Sequence, residues 1–266
     1  MRRPTALMVF LLFCAPAAYA EIYFNPTFVD SAGETWTADR MAVVNQAMND
    51  WTSAITTTSN QTIDVTFTFT NVTNGYLGQW STSYSYSYGA EVRPWDTAGC
   101  SITQEIRFNS YWFSNPSGPD LWFDPTPTED SDLTGSYWDA LSVTRHELGH
   151  LLGFTDGTYV DNKGLASEIT YWDDQINGSD IFDAGGLDVT MDPDLAHIDP
   201  SETDGKLMNP ALYNGQRRDI DQLVTNMLTT AYPWYEANPV PAPATAGLLL
   251  LGCIGLAWRR RKKKAE

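Results

Sequence analysis

The chain carries the run His146-Glu147-Leu148-Gly149-His150-Leu151-Leu152-Gly153-Phe154. What this run builds decides how the rest is read. Two of the chain's three histidines stand four residues apart, with a glutamate beside the first. On a helix, positions i and i+4 share a face about one turn apart. Two neutral imidazole nitrogens placed this way can reach one zinc ion at ~2.0–2.1 Å. Glu147 lies next to the first candidate ligand, where a carboxylate can take a proton from an activated water and pass it on. The bland reading is two histidines on an amphipathic helix. With three histidines in all, chance rarely supplies this spacing together with the glutamate. Glu147 also argues against a structural site, which needs no adjacent base and prefers four protein ligands. The pattern predicts a helix from about Tyr137 to Leu152, ended by Gly153.

Upstream, Glu21 to Val29 reads as a strand. Thr37-Ala38-Asp39-Arg40 opens a helix whose apolar face is Met41, Val44, Ala47 or Met48, Trp51 and Ile55. Ile63, Val65, Phe67 and Phe69 alternate with Asp64, Thr66, Thr68 and Thr70, the pattern of a half-buried strand, with Asn74-Gly75 as the turn after it. Thr82 to Tyr88 alternates Tyr with Ser and is either a strand or an aromatic loop. Ile102 to Phe108 is a further strand, and Asn115 to Asp132 is loop-like. Residues 154–206 show little periodicity. Ile220, Leu223, Val224, Met227 and Leu228 mark a final amphipathic helix. This order predicts one α+β (α/β-like) domain over residues 21–232.

The two ends read as targeting elements. Met1 to Ala20 has the form of a secretory signal peptide: Arg2 and Arg3, the apolar run Ala6 to Phe13, and the small-x-small pattern Ala18-Tyr19-Ala20. Pro233 to Pro243 reads as a linker. Residues 244–266 combine an apolar stretch, Ala244 to Trp258, with the basic cluster Arg259 to Lys264. Such a cluster stays on the cytoplasmic side of a short membrane anchor.

The ends also mask the body's charge. The chain has 16 Lys and Arg against 33 Asp and Glu. Two of the basic residues lie in the leader, and six of them lie in the tail with Glu266, leaving 8 basic and 32 acidic residues between. A body of net charge −24 repels nucleic-acid phosphates, which excludes that class of partner. Thirteen acidic residues fall between Asp156 and Asp204, spaced through turns. Such a loop could fold around Ca2+ or could be simply solvated; no EF-hand spacing is present. Cys100 is the single cysteine of the body, so no disulfide forms within it, and it reads as an ordinary buried thiol.

The run from His146 to Phe154 resembles the long zinc motif of the metzincin peptidases. In that family the glycine turns the chain out of the helix toward a third ligand, and a methionine turn lies beneath the metal. Lys206-Leu207-Met208-Asn209-Pro210 looks like that turn, with Met208 as its methionine; alone, Met208 would read as a core residue. The resemblance implies a twisted sheet, an active-site helix and a C-terminal helix in one catalytic domain. It also implies an exposed sheet edge that holds peptide, for which Ile102 to Phe108 is the candidate. The likeness is close over the helix and the methionine turn, and loose over the upstream strand–helix–strand order.

The resemblance leaves two candidates for the third ligand. In the compact metzincin pattern the ligand lies three residues past the glycine, at Asp156, whose oxygen zinc accepts. In leishmanolysin-like members an insertion follows the glycine, and a histidine eleven residues before the methionine completes the set. His197 stands eleven residues before Met208, and Gly153-Phe154-Thr155 is similar to that group's Gly-Phe-Ser. His197 is favoured, because it uses every histidine of the chain; Asp156 stays open. The chain lacks the many cysteines of the eukaryotic leishmanolysins.

Val240-Pro241-Ala242-Pro243-Ala244, with the apolar run and basic end, resembles a PEP-CTERM sorting signal, although Pro-Ala-Pro stands where the family has Pro-Glu-Pro. This likeness implies a Gram-negative bacterium and transient membrane anchoring handled by a sorting protease. The expected function is an exported zinc-dependent endopeptidase of protein or peptide substrates, with Glu147 as general base. Two rival readings are a non-catalytic zinc-binding surface module and a zinc hydrolase of a non-peptide substrate. Chelator-sensitive cleavage of unfolded protein separates them.

Overall fold

Ile63, Val65, Phe67 and Phe69 are all buried along β3 (Gln61–Thr70), while the residues between them are partly or fully exposed. This period-two burial makes β3 the spine of the sheet. β1 (Ile22–Phe28) pairs with it in parallel on one side. β5 (Cys100–Asn109) pairs with it in parallel on the other. β4 (Gly78–Tyr86) runs antiparallel to β5 and closes the order β1-β3-β5-β4. The computed structural model describes residues 20–73, 75–86, 93–96, 99–113, 119–129, 132–155, 175–176, 180–201 and 205–237. Within them the chain is α+β, with one mixed four-stranded sheet and three α-helices.

α1 (Ala38–Ala54) starts where the Thr37 hydroxyl accepts the Arg40 N–H, and it buries Val43, Val44, Ala47, Met48 and Trp51. The expected helical face ran on to Ile55. Instead Ile55, Thr56 and Thr57 are extended as β2 (Ile55–Thr57). Three consecutive β-branched residues lose χ1 freedom in a helix and suit a strand. β2 pairs with β10 (Tyr235–Ala237). Trp234 and Tyr235 are buried, so the fold continues five residues into the stretch expected to be linker. Large aromatic area, not linker composition, decides those positions.

α2 (Ala140–Leu152) is the central helix, with eleven of its thirteen residues buried. It begins three residues later than the periodicity predicts, because Asp139 takes the N-cap and accepts the Ser142 N–H at 3.0 Å. Tyr137–Asp139 is therefore extended as β7, paired with β6 (Asp120–Trp122) inside the region expected to be loop. Leu141, Leu148 and Leu152 lie in one core with the sheet, α1, α3 (Gln222–Ala231) and Met208. Each such leucine contributes about 1.5–3 kcal/mol by burial. A short hairpin, β8 (Ile181–Asp183) and β9 (Asp188–Thr190), stands in the acidic region of little periodicity.

Sheet order corrects one expectation. Ile102 to Phe108 lies in β5, between β3 and β4, so its hydrogen-bonding edges are both used. The edge strand beside α2 is β4, the segment read as strand or aromatic loop. Serine and tyrosine alternate too evenly in hydropathy to signal which edge is free. Residues 1–19, Asn74, Tyr88, Asp156, most of the acidic insertion and residues 238–266 lie outside the described residues. The expected leader, the expected tail anchor and the alternative third ligand Asp156 fall there. Among the described residues no helix is long and apolar enough to cross a membrane.

Candidate metal centre

Three imidazoles meet at one point. α2 supplies His146 and His150 on one face, and the chain after β9 supplies His197. The Nε2 atoms of His150 and His146 are 3.0 Å apart, and those of His146 and His197 are 3.2 Å apart. Each Nδ1 faces an acceptor on the far side. His146 Nδ1 is 2.7 Å from the Leu207 carbonyl, His150 Nδ1 is 2.6 Å from the Phe154 carbonyl, and His197 Nδ1 is 2.5 Å from Asp194 Oδ2. A carbonyl or ionised carboxylate can only accept, so each Nδ1 carries the donated proton. A neutral ring then presents a bare lone pair at Nε2. Burial, with help from the neighbouring imidazoles, holds His146 well below its ordinary pKa and brings His150 down to about 4. Three lone pairs at this distance cannot hydrogen-bond to one another; they could hold a metal ion. The 3.0 and 3.2 Å separations are near those of donors around one tetrahedral ion, about 3.3 Å, and all three donor atoms lie within 4.8 Å of one another.

Local backbone chemistry sets this arrangement. Gly153 has φ +132°, a conformation that L side chains rarely adopt. Its N–H caps the helix on Gly149 and His150 carbonyls, and the chain then turns so that the Phe154 carbonyl faces His150. A Cβ on Gly153 would meet the Tyr232 ring at 2.3 Å. That ring donates its hydroxyl to the Gly153 carbonyl at 2.6 Å, and Tyr235 donates to Leu152 at 3.0 Å. Two tyrosines from beyond α3 thus close the C-terminal end of α2. Beneath the histidines, Met208 is fully buried, and a Cβ on Gly149 would meet its sulfur at 2.5 Å. The Met208 carbonyl accepts the Ile198 N–H at 2.9 Å. The 207–208 turn therefore fixes His146 through Leu207 and the His197 segment through Met208.

Glu147 lies at the wall of the same cleft. Its Oε2 accepts the backbone N–H of Trp80, on edge strand β4, at 2.6 Å. Burial pushes its carboxyl up to about 8, against the opposing pull of the Trp80 N–H; a cation among the imidazoles would draw it back down. The Trp80 ring stacks on His150, with centroids 6.4 Å apart and planes 22° apart. The cleft holds about 700 Å³ and runs from Tyr76 and Trp112 past Trp138, Val143 and the histidines to Thr155.

The start of α2 rests on a buried ion pair. Arg217 donates to both Asp124 and Asp139, at 2.7 and 3.0 Å, and neither carboxylate is exposed. Arg145, whose side chain is 8% exposed, ties α2 to Asp50 of α1 and to Asp219. Arg218 donates to the Lys206, Asn209 and Ala211 carbonyls, holding the chain after Met208.

The structure brings together His146, Glu147, His150, His197 and Met208. Asp156 lies outside the described residues. Sequence reading missed Trp80, Asp194 and the Arg217 cluster. Of these, only Asp194 had a signal, a carboxylate three residues before the histidine, and the surrounding acidic residues hid it. Asp192, Asp194 and Asp199 accept backbone N–H groups of their own turns. Among the described residues the histidine trio is the group of three or more metal-type side chains that converges; no carboxylate cluster of the calcium-binding kind does. Cys100 is buried and free. No protein-family profile matches this chain, and no curated protein is similar to it in sequence.

Proposed function

We propose that this protein is a zinc-dependent endopeptidase of the metzincin kind, acting outside the cytoplasm as the leader-like residues 1–20 suggest. Recovery of the protein from the cell envelope or medium, not the cytoplasm, would check the location. The observation that carries the activity is the convergence of three Nε2 lone pairs beside Glu147 in an open cleft. An all-imidazole donor set suits zinc better than calcium or magnesium, which take oxygen. Three protein donors leave one position open, the mark of a catalytic site. Zinc held there would supply Lewis acidity toward water and toward a carbonyl oxygen.

The chain's own groups do the remainder. Glu147, turned toward the cleft, accepts a proton from water at Oε and later delivers it to the leaving amine. Among the described residues β4 pairs with a strand on one side only, and apart from the Trp80 N–H, which Glu147 accepts, its outer edge is where an extended peptide would add as a further strand. Trp112, Trp138 and Val143 give the cleft an apolar wall that excludes water from a bound side chain. The Gly153 turn and Met208 beneath the histidines support the metzincin reading.

Glu147→Gln tests the reading. The variant should bind zinc at wild-type stoichiometry and lose cleavage of unfolded casein by about 100–10,000-fold, the usual contribution of a positioned base. Normal cleavage by the variant, or wild-type cleavage that survives chelation, sinks the proposal.

A further inference from the structure

Trp80 makes two contacts with the candidate centre, and neither follows from the motif. Its backbone N–H donates to Glu147 Oε2 at 2.6 Å. Its ring stands beside His150 in an offset, nearly parallel arrangement. The ring is itself anchored, since Nε1–H donates to the buried Gln104 side chain at 2.8 Å. Close approach of β4 to α2 depends on Gly78: a Cβ there would meet Val143 Cγ1 at 2.6 Å and Glu147 Cγ at 3.2 Å. An edge-strand N–H ordinarily faces solvent or an incoming strand. Here it is spent on a carboxylate one residue from a candidate ligand. A glutamate has three rotatable bonds, and a single strong hydrogen bond from rigid backbone selects one orientation among several.

We propose that Trp80 is a positioning residue, whose main-chain N–H fixes the Glu147 carboxylate and whose indole backs the His150 ring. The role in catalysis rests on the peptidase reading above; the contact itself does not. The seat of β4 on α2 thereby becomes part of the site, because a shift of the strand moves the base.

Amide hydrogen exchange tests the contact without reference to activity. In the purified, zinc-loaded chain the Trp80 amide should exchange at least about tenfold more slowly than in Glu147→Ala. The amides of the β4–β5 ladder should be unchanged. Glu147→Gln, which keeps an acceptor oxygen, should retain part of the protection. Equal Trp80 exchange in the wild type and Glu147→Ala overturns the proposal, whatever the enzyme does.

A second pair separates the N–H from the ring. Trp80→Ala keeps the N–H, whereas Trp80→Pro removes it; proline is tolerated on an edge strand where the N–H points away from the sheet. At equal zinc content, Trp80→Pro should show a kcat at least about tenfold below that of Trp80→Ala. Equal kcat values in two folded, zinc-loaded variants overturn the positioning role. Loss of activity in Glu147→Gln alone would leave the peptidase reading standing.

Discussion

The two arms of the candidate metal centre are supported differently. His146 and His150 stand on a buried helix, and each Nδ1 proton goes to a main-chain carbonyl. His197 stands on a turn-rich segment, and its Nδ1 proton goes to Asp194, whose side chain is 48% exposed. Leu207 and Phe154 are buried in turns, and their carbonyls cannot rotate away without rearranging the main chain that carries them. An exposed carboxylate can, and water competes for it. The helix arm should therefore be rigid and tied to global stability, and the loop arm locally adjustable and tied to metal affinity alone.

The largest expected effect sits under the helix arm. The Arg217 side chain is 5% exposed, and those of its partners Asp124 and Asp139 are not exposed at all. Arg217→Met leaves two carboxylates buried without their cation and weakens the N-cap that starts α2. Breaking such a cluster costs about 3–5 kcal/mol. Urea unfolding of the metal-free protein measures it. A loss under about 1 kcal/mol would mean that water reaches Asp124 and Asp139, and that the helix arm is no better supported than the loop arm.

Next comes removal of the loop ligand. Structural zinc sites with four protein donors gain about 10–16 kcal/mol, roughly 2.5–4 kcal/mol per donor. His197→Ala should therefore weaken zinc by about 60-fold to several hundredfold and leave urea unfolding of the metal-free protein unchanged. Asp156→Ala should retain most of the metal. Zinc content of both purified variants decides between them. A zinc-loaded His197→Ala beside a zinc-free Asp156→Ala would break the comparison, since the second arm would then be the short turn after Gly153.

The same contrast governs what the sequence could reveal. His146, Glu147, His150 and Gly153 are legible because helical spacing is a local rule, and α1 and β3 are legible for the same reason. His197 and Met208 needed a resemblance, because eleven residues of irregular chain impose no geometry of their own. Asp194 was hidden among equivalent-looking aspartates. The edge position of β4 could not be read at all. Which strand lies outermost depends on pairing between segments far apart in sequence, and the Ser-Tyr alternation of β4 has no apolar face to declare it. β10 was misplaced in a linker because Pro233 outweighed the aromatic residues after it.

Asp194 gives the smallest effect and the finest test of the contrast. Its carboxylate accepts the His197 Nδ1 proton through Oδ2 and the Ala196 N–H through Oδ1. It therefore both orients the ring and shapes the turn that carries it. A carboxylate behind a metal-bound imidazole also raises the basicity of the opposite nitrogen, and its loss typically costs 10–100-fold in affinity, about 1.4–2.7 kcal/mol. Asp194→Ala should fall in that range. Asp194→Asn keeps an acceptor and loses the charge, so its affinity should lie between the wild type and Asp194→Ala. If orientation dominates, the asparagine variant will sit near the wild type; if charge dominates, near the alanine. Neither should shift urea unfolding of the metal-free chain, because nothing in the core rests on Asp194. Zinc dissociation constants by chelator competition, measured on all three proteins, read the two contributions separately. Wild-type affinity in Asp194→Ala would show that water replaces the carboxylate at no cost. His197 would then be held by the Ile198–Met208 main-chain bond, and the two arms would be supported alike.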